Sequence, residues 1–366
     1  MSHDDDVITN SSRNRHIDHI IAARTHSPAR RDLFKGAAAS AVLGFLATSA
    51  AALNISSAAA AAPAPEAKGG ARKRPARLGF KAVSKSRSDV LSVPEGYSAR
   101  ILYRLGDPLA ANVGAYRNDG SDPASTFAWR AGDHHDAMVY FGQDAQGRHA
   151  PASATRGLLV MNHEAITPSF LHPAGVSSTG TGAAQVRTSP EEVLREFYAH
   201  GVSVVQLERD RDGKWNYRQD SRYNRRVHTL TEAVLSGPAA GSPQMVTRFS
   251  PTGTRTRGTV NNCANGTTPW GTYLTCEENF ANYFRRIPGS DDAKRSPAEL
   301  ASLKRYAIAG TGRELWATVT PDTPDNLYGR WIAEVRGATA AEDYRNVGNT
   351  FGWVVEIDPF DPASLP

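Results

Sequence analysis

The sequence predicts an all-β protein with short helical insertions, because short strand-like runs recur through the chain and helix signals are sparse. Two helix starts stand out, at residues 189–192 and 296–299, where a capping serine precedes a proline and an acidic residue. Apolar runs at residues 202–207 and 215–218 flank an Asp-Gly turn, as the two strands of a hairpin do. Repeated short strands of this kind suit a β-propeller with helical insertions.

The size and charge of the chain exclude some classes of protein. A length of 366 residues allows one large domain or two ordinary ones. The 42 basic and 37 acidic residues give a net charge of +5, which is too small to indicate a nucleic-acid-binding protein. A phosphate loop of the form Gly-x-x-x-x-Gly-Lys-Ser/Thr is absent from the sequence, so nucleotide-driven phosphotransfer of that kind has no support.

The first part of the chain reads as an export signal. In residues 1–62, paired arginines at residues 30–31 precede an alanine-rich apolar stretch, which resembles a twin-arginine signal. A membrane anchor is the alternative, but the strongly apolar core is short for a span, so we expect no stable membrane span after signal removal. This resemblance implies the twin-arginine export machinery as a partner and a periplasmic or secreted location.

A linker and a folded domain follow the signal. Residues 63–89 are rich in proline, glycine and basic residues, which predicts a disordered basic linker. Residues 90–366 form the predicted folded domain, and a strand-like run at residues 98–105 comes near its start.

Residues 258–280 carry an unusual concentration of side chains that can bind a metal, including Cys263 and Cys276, the two cysteines of the protein. The asparagines of this stretch favour tight turns and left-handed backbone, which present carbonyl oxygens to one point. A thiolate among oxygen donors suits iron or zinc better than magnesium alone. A disulfide between the two cysteines is an equally weighted alternative, since exported chains often pair them.

Two adjacent carboxylates, Glu277 and Glu278, end this stretch. Residues 272–277 read as a short strand, in which successive side chains point to opposite faces. We therefore expect these two carboxylates to have different roles.

The stretch at residues 258–280 closely resembles the corresponding motif of the PhoX-type alkaline phosphatases, which are exported bacterial phosphomonoesterases. The resemblance implies a β-propeller that depends on iron and calcium and that hydrolyses small phosphomonoesters. It extends to further segments, at residues 157–164, 201–207, 221–226, 236–241 and 352–362. Chains of this family normally continue well past the last of these segments, so the resemblance implies a truncated, N-terminal portion of a propeller.

The resemblance also implies roles for individual residues. Cys263 and Glu356 are expected to hold iron, and Glu356 lies in an apolar strand where an unpaired carboxylate is costly to bury. The other expected metal ligands are carboxylates. Glu164 and either Glu277 or Glu278 are expected to complete iron or calcium shells, and Asp136 is expected to bind calcium or to hold another ligand in place.

Three more residues are candidates for substrate contact and catalysis. Asn262 is expected to contact metal or phosphate, and His163 to orient Glu164 or to bind substrate. Arg225 is a candidate for phosphate because a guanidinium matches two phosphate oxygens. Other functions stay open at this point: a non-catalytic, calcium-stabilised secreted binding protein, or a propeller hydrolase acting on lactones or other esters.

Overall fold

The structure is a computed structural model that describes residues 79–366. The predicted signal peptide at residues 1–62 and most of the predicted linker at residues 63–89 lie outside the described residues. The chain divides into two compact units, residues 1–101 and 102–366. In the described part of the first unit, the backbone forms turns but no helix or strand. Between residues 79 and 366, no helix combines the length and apolarity needed to cross a bilayer.

The strand predicted at residues 98–105 does not form, so this prediction is wrong. Ile101 is 69% exposed and Tyr103 is buried, but the backbone between them has no partner strand. An apolar run without a neighbouring strand cannot satisfy its backbone groups as a sheet does, and it stays irregular.

The described residues contain twelve strands, and every pairing between them is antiparallel. The strands are β1 (His135–Gly142), β2 (Arg156–His163), β3 (Ser178–Thr179), β4 (Val186–Arg187), β5 (Gly201–Arg209), β6 (Trp215–Tyr217), β7 (Arg225–Val227), β8 (Glu232–Val234), β9 (Arg255–Arg257), β10 (Asn262–Thr267), β11 (Tyr273–Glu277) and β12 (Val354–Ile357). The predicted hairpin is present as β5 and β6.

These strands form four sheets. The largest has the order β1-β2-β5-β6, with β7 also paired to β5. A second sheet has the order β10-β11-β12, and two-stranded sheets are formed by β3 with β4 and by β8 with β9. The prediction of a mostly β protein with few helices is therefore confirmed. Closure into a propeller stays a prediction.

Strands β2 and β5 form the centre of the largest sheet, and both of its faces are buried there. Leu158 and Val160 pack on one face with Tyr273 of β11, so the largest sheet rests on the second sheet. Leu159 and Met161 pack on the opposite face. Burial on both faces explains why these two strands are nearly continuous apolar runs in the sequence.

The described residues contain three α-helices, α1 (Pro168–Leu171), α2 (Pro190–Ala199) and α3 (Pro297–Arg305). The Ser189 side chain accepts a hydrogen bond from the backbone N–H of Glu192, the third residue of α2, and Ser296 forms a capping box with Glu299. Both predicted helix starts are therefore confirmed. Helix α2 ends before Gly201, whose φ of 105° favours glycine.

Short 3-10 helices and loops occupy residues 278–353, apart from α3. The 3-10 helices of the described chain are Ala124–Trp129, Gly182–Ala184, Pro243–Met245, Phe280–Tyr283, Asp292–Lys294, Trp316–Thr318, Gly329–Trp331, Ala340–Glu342 and Val347–Thr350. The expectation that strands prevail outside the two predicted helices is wrong for this region. Its core is instead an aromatic cluster in which Trp316, Trp331 and Tyr283 pack against α2 through Phe197.

A fully buried carboxylate, Glu196, anchors α2 in this region. It accepts hydrogen bonds from Arg187 at 2.6 Å, from His172 at 2.9 Å and from the Trp316 indole at 2.6 Å. Burial alone would raise the pKa of Glu196, but the hydrogen bonds from His172 and Arg187 and the charge of Arg187 outweigh it, and the pKa is lowered. Glu196 is therefore a charged group whose partners replace water.

Candidate metal centre

Three of the predicted metal ligands, Asp136, Glu164 and Cys263, converge in the structure. Each offers one ligand atom, and these atoms all lie within 4.8 Å of one another. Asp136 lies in β1 and Glu164 directly follows β2, whereas Cys263 lies in β10. The group is therefore assembled where the largest sheet meets the second sheet.

A β-bulge carries Asp136. In the pairing of β1 with β2, His135 faces His163 and Met138 faces Met161. Two residues of β1, Asp136 and Ala137, thus stand opposite a single residue of β2. The extra residue bends the strand and redirects a side chain, a geometry that is frequent beside active sites.

A second β-bulge carries Cys263. In the pairing of β10 with β11, Asn262 faces Glu277 and Asn265 faces Thr275. Two residues, Cys263 and Ala264, therefore stand opposite one residue of β11. Both cysteines of the protein are free thiols in the structure, so they do not form the disulfide there, and metal binding by Cys263 stays a prediction.

Glu164 is held by two residues with left-handed backbone. Its backbone N–H donates to the carbonyl of His134 at 3.0 Å, and its carboxylate accepts from Asn261 Nδ2 at 3.1 Å. The φ angles are 43° at His134 and 55° at Asn261, a conformation that is uncommon outside glycine and is found at functional sites. The left-handed backbone expected in this asparagine-rich stretch is present at Asn261.

The charges around Cys263 oppose formation of its thiolate. The hydrogen bond to Asp136, burial and the charge of Asp136 raise the pKa of Cys263 to about 12, and Glu278 and Glu164 add to the effect. Acidic groups placed this close repel one another when ionised. A bound cation removes this conflict, because it stabilises the carboxylates and a thiolate together.

Glu277, the last residue of β11, and Glu278, which follows it, have different environments, in agreement with the expectation of different roles. Glu278 is exposed, beside Cys263. Glu277 is buried and accepts from the Thr259 hydroxyl at 2.7 Å and from the Gly352 backbone N–H at 2.7 Å. Burial raises the pKa of Glu277 to about 7 although these hydrogen bonds lower it. Glu277 is thus a buried acid next to the candidate centre.

Two predicted site residues have other partners in the structure. The Glu356 carboxylate accepts from the Trp270 indole at 2.6 Å and from the Thr272 hydroxyl at 2.7 Å. The Arg225 guanidinium donates to the carbonyls of the C-terminal segment at residues 358–364, at 2.8–2.9 Å. Neither side chain belongs to the converging group, and their roles in iron and phosphate binding stay predictions.

His163 and Asn262 are adjacent to ligands in sequence but are fully buried. His163 Nε2 lies 3.0 Å from the Ser203 hydroxyl, and burial lowers the pKa of His163 well below its ordinary value. Asn262 Nδ2 donates to the Thr259 hydroxyl at 2.8 Å, while its Oδ1 has no hydrogen-bond partner. Both side chains are thus held inside the protein by other residues, and the predicted contacts with substrate or metal stay predictions.

The structure also identifies supporting residues that the sequence reasoning missed. Asn162 and Tyr273 are fully buried and hydrogen-bonded to each other at 2.8 Å beneath the two bulges. The available signal was Asn162 itself, an amide that follows four apolar residues in a buried strand. Buried amides need partners, so such a residue indicates a polar network.

Comparison with known proteins places the chain in a family. The sequence matches the family described as alkaline phosphatase PhoX over residues 78–366. The structure is similar to Pseudomonas fluorescens PhoX in complex with vanadate, a transition state analogue, with a TM-score of 0.63 and 35% sequence identity. The similarity covers 79% of this chain and 43% of that one, so the chain spans less than half the length of this relative. Among proteins of curated function there is no match. The protein belongs to the alkaline phosphatase PhoX family.

Proposed function

We propose that the protein hydrolyses phosphate monoesters and releases inorganic phosphate at a metal centre held by Asp136, Glu164 and Cys263. The observation that carries this proposal is the convergence of these side chains within 4.8 Å in a chain that belongs to a phosphatase family. The vanadate bound by the Pseudomonas fluorescens relative supports phosphoryl transfer as the chemistry.

The donor set suits a mixed metal centre. A thiol together with two carboxylates combines a soft and a hard ligand, which favours iron over calcium or magnesium at Cys263. Calcium prefers oxygen ligands, and Glu278 beside Cys263 supplies a further carboxylate for it. The buried Oδ1 atom of Asn261 has no hydrogen-bond partner and lies on a residue that already holds Glu164, so it is available to a cation. Glu356 and Glu277 are proposed as additional ligands.

In this proposal the residues of the chain bind the metal and orient the reacting groups, and the metal supplies positive charge. When bound, a metal ion there stabilises the negative charge that builds up on the transferring phosphoryl group. Asn261 fixes the Glu164 carboxylate, and the two bulges aim Asp136 and Cys263 at the same point. Asn262, His163 and Arg225 are proposed to act on substrate or ligands. For Arg225 this requires release of the C-terminal carbonyls that it binds in the structure.

The cellular setting of this activity is also a proposal. The antiparallel sheets and few helices support a β-propeller domain at residues 90–366. The paired arginines at residues 30–31 support export by the twin-arginine route, with a signal at residues 1–62 and a linker at residues 63–89. A periplasmic or secreted phosphatase of this kind would act on small phosphomonoesters outside the cytoplasm.

The two cysteines offer a matched test. The wild-type protein, Cys263→Ser and Cys276→Ser are purified, analysed for iron and calcium, and assayed with p-nitrophenyl phosphate. We expect iron and hydrolysis in the wild type and in Cys276→Ser, and loss of both in Cys263→Ser, because only Cys263 belongs to the converging group.

Chelation of the wild type should also abolish hydrolysis. Hydrolysis that survives both Cys263→Ser and complete chelation would contradict the proposal. Calcium without iron and without hydrolysis in the wild type would favour the calcium-stabilised binding protein instead.

A further inference from the structure

A buried tyrosine connects the two sheets beneath the candidate centre. Tyr273 of β11 is fully buried, and its hydroxyl lies 2.8 Å from Asn162 Oδ1 and 3.1 Å from the carbonyl oxygen of Ala137. Asn162 and Ala137 belong to the largest sheet, whereas Tyr273 belongs to the second sheet. The hydroxyl therefore donates across the junction between the sheets.

Asn162, in the largest sheet, forms a hydrogen bond back to the second sheet. Its side chain is fully buried, and Nδ2 donates to the carbonyl oxygen of Cys263 at 2.7 Å. Asn162 is also the single residue of β2 that stands opposite the bulge of Asp136 and Ala137. Its amide thus lies between the backbone of one bulge and the backbone of the other.

The hydrogen bonds of Tyr273 and Asn162 end in the two bulges that contain Asp136 and Cys263. Ala137 follows Asp136 in the first bulge, and the Cys263 carbonyl lies in the second. A bulge residue lacks part of the ladder of hydrogen bonds that fixes other strand residues. Hydrogen bonds from Tyr273 and Asn162 supply that missing constraint, and both donor side chains are fully buried.

We propose that Tyr273 and Asn162 are positioning residues that set the distance between the Asp136 bulge and the Cys263 bulge, and thereby the metal affinity of the centre. The inference rests on the proposed metal centre. It assigns no ligand role to either residue, since each acts through the backbone of a neighbouring residue. A purely structural role, in contrast, would change stability and leave metal affinity unaltered.

The test compares Tyr273→Phe with Tyr223→Phe. Tyr223 is buried in the same apolar cluster, and its hydroxyl donates to the Gly147 carbonyl at 3.1 Å. Each substitution removes one hydroxyl that has two hydrogen-bond partners, without changing ring packing. The partners are Asn162 and Ala137 for Tyr273, and Gly147 and Arg222 for Tyr223. Metal-free protein is titrated with Co²⁺, whose thiolate charge-transfer band reports binding at Cys263, and Tm is measured for each variant.

We expect the Kd for Co²⁺ to rise about tenfold in Tyr273→Phe, the lower end of the range for residues that orient metal ligands. In Tyr223→Phe the Kd should stay within about twofold of wild type, while Tm falls by a similar amount in both variants. Equal Kd values in the two variants would overturn the inference.

A double substitution checks that the two residues act together. In an Asn162→Ser background, Tyr273→Phe should raise the Kd by less than about twofold, because the connection is already broken. Independent, multiplicative effects would overturn the joint role. Absence of Co²⁺ binding by the wild-type protein is a different result, because it would overturn the proposed metal centre itself and the inference with it.

Discussion

The buried acid Glu277 gives the stability of the protein a defined pH dependence. Its pKa is raised from 4.5 to about 7, first by burial and against the hydrogen bonds from Thr259, Trp353 and Gly352. A difference of this size corresponds to about 3 kcal/mol between the folded and unfolded states. We predict that Glu277→Gln, which cannot ionise, removes this contribution.

The direction of this pH dependence follows from the number of protons that the folded and unfolded states bind. Between pH 4.5 and about 7 the folded protein keeps a proton on Glu277 that the unfolded chain has released. The free energy of unfolding therefore falls as the pH rises through this window and is fully reduced above it. The free energy of unfolding of Glu277→Gln minus that of wild type should therefore increase by about 3 kcal/mol between pH 4 and pH 8.

Urea unfolding followed by tryptophan fluorescence measures this difference. Wild type and Glu277→Gln are unfolded at several pH values with a chelator present, because a bound cation would favour the ionised carboxylate. Any fixed effect of the new amide, such as a poor contact with Thr259, cancels when the difference is compared across pH. A difference that stays constant from pH 4 to pH 8 would refute the reasoning.

Three further predictions concern the fold. Glu196→Gln should lower the free energy of unfolding at neutral pH by about 3–5 kcal/mol, since it leaves the buried Arg187 with only its longer ion pair to Glu192 at 3.3 Å. Because the pKa of Glu196 is lowered from 4.5, that deficit should shrink only as the pH falls below 4.5, which urea unfolding can test. Ser296→Ala should lower stability by about 1 kcal/mol in the same assay by removing the cap of α3; an unchanged midpoint would argue against the capping box. Gly201→Ala should reduce soluble yield and Tm, because its φ is 105° and a methyl group there meets the Val227 carbonyl; wild-type Tm would contradict this packing.

Features that depend on a few neighbouring residues were predictable from sequence. The starts of α2 and α3 follow from Ser189 and Ser296, whose caps involve residues three positions away. The different environments of Glu277, which is buried, and Glu278, which is exposed, agree with the alternation of side chains along a strand. Both predictions need no knowledge of the tertiary structure.

Features that depend on distant partners were not predictable in the same way. The partners of Arg225 lie more than 130 residues along the chain, and nothing near Arg225 in the sequence indicates them. The aromatic cluster of Trp316 and Trp331 replaces strands in a region where burial follows no simple period. The convergence of Asp136, Glu164 and Cys263 rested on resemblance, because the bulges that aim two of them have no sequence signature here.

The two bulges have a consequence for how the site can change in evolution. Asp136 and Cys263 each belong to a pair of residues that faces one residue on the neighbouring strand. Substitution of a side chain at such a position leaves the register of the surrounding pairs intact. Mutations can therefore change the side chains presented at positions 136 and 263 without first disrupting the sheets, which gives one scaffold a route to different site chemistries.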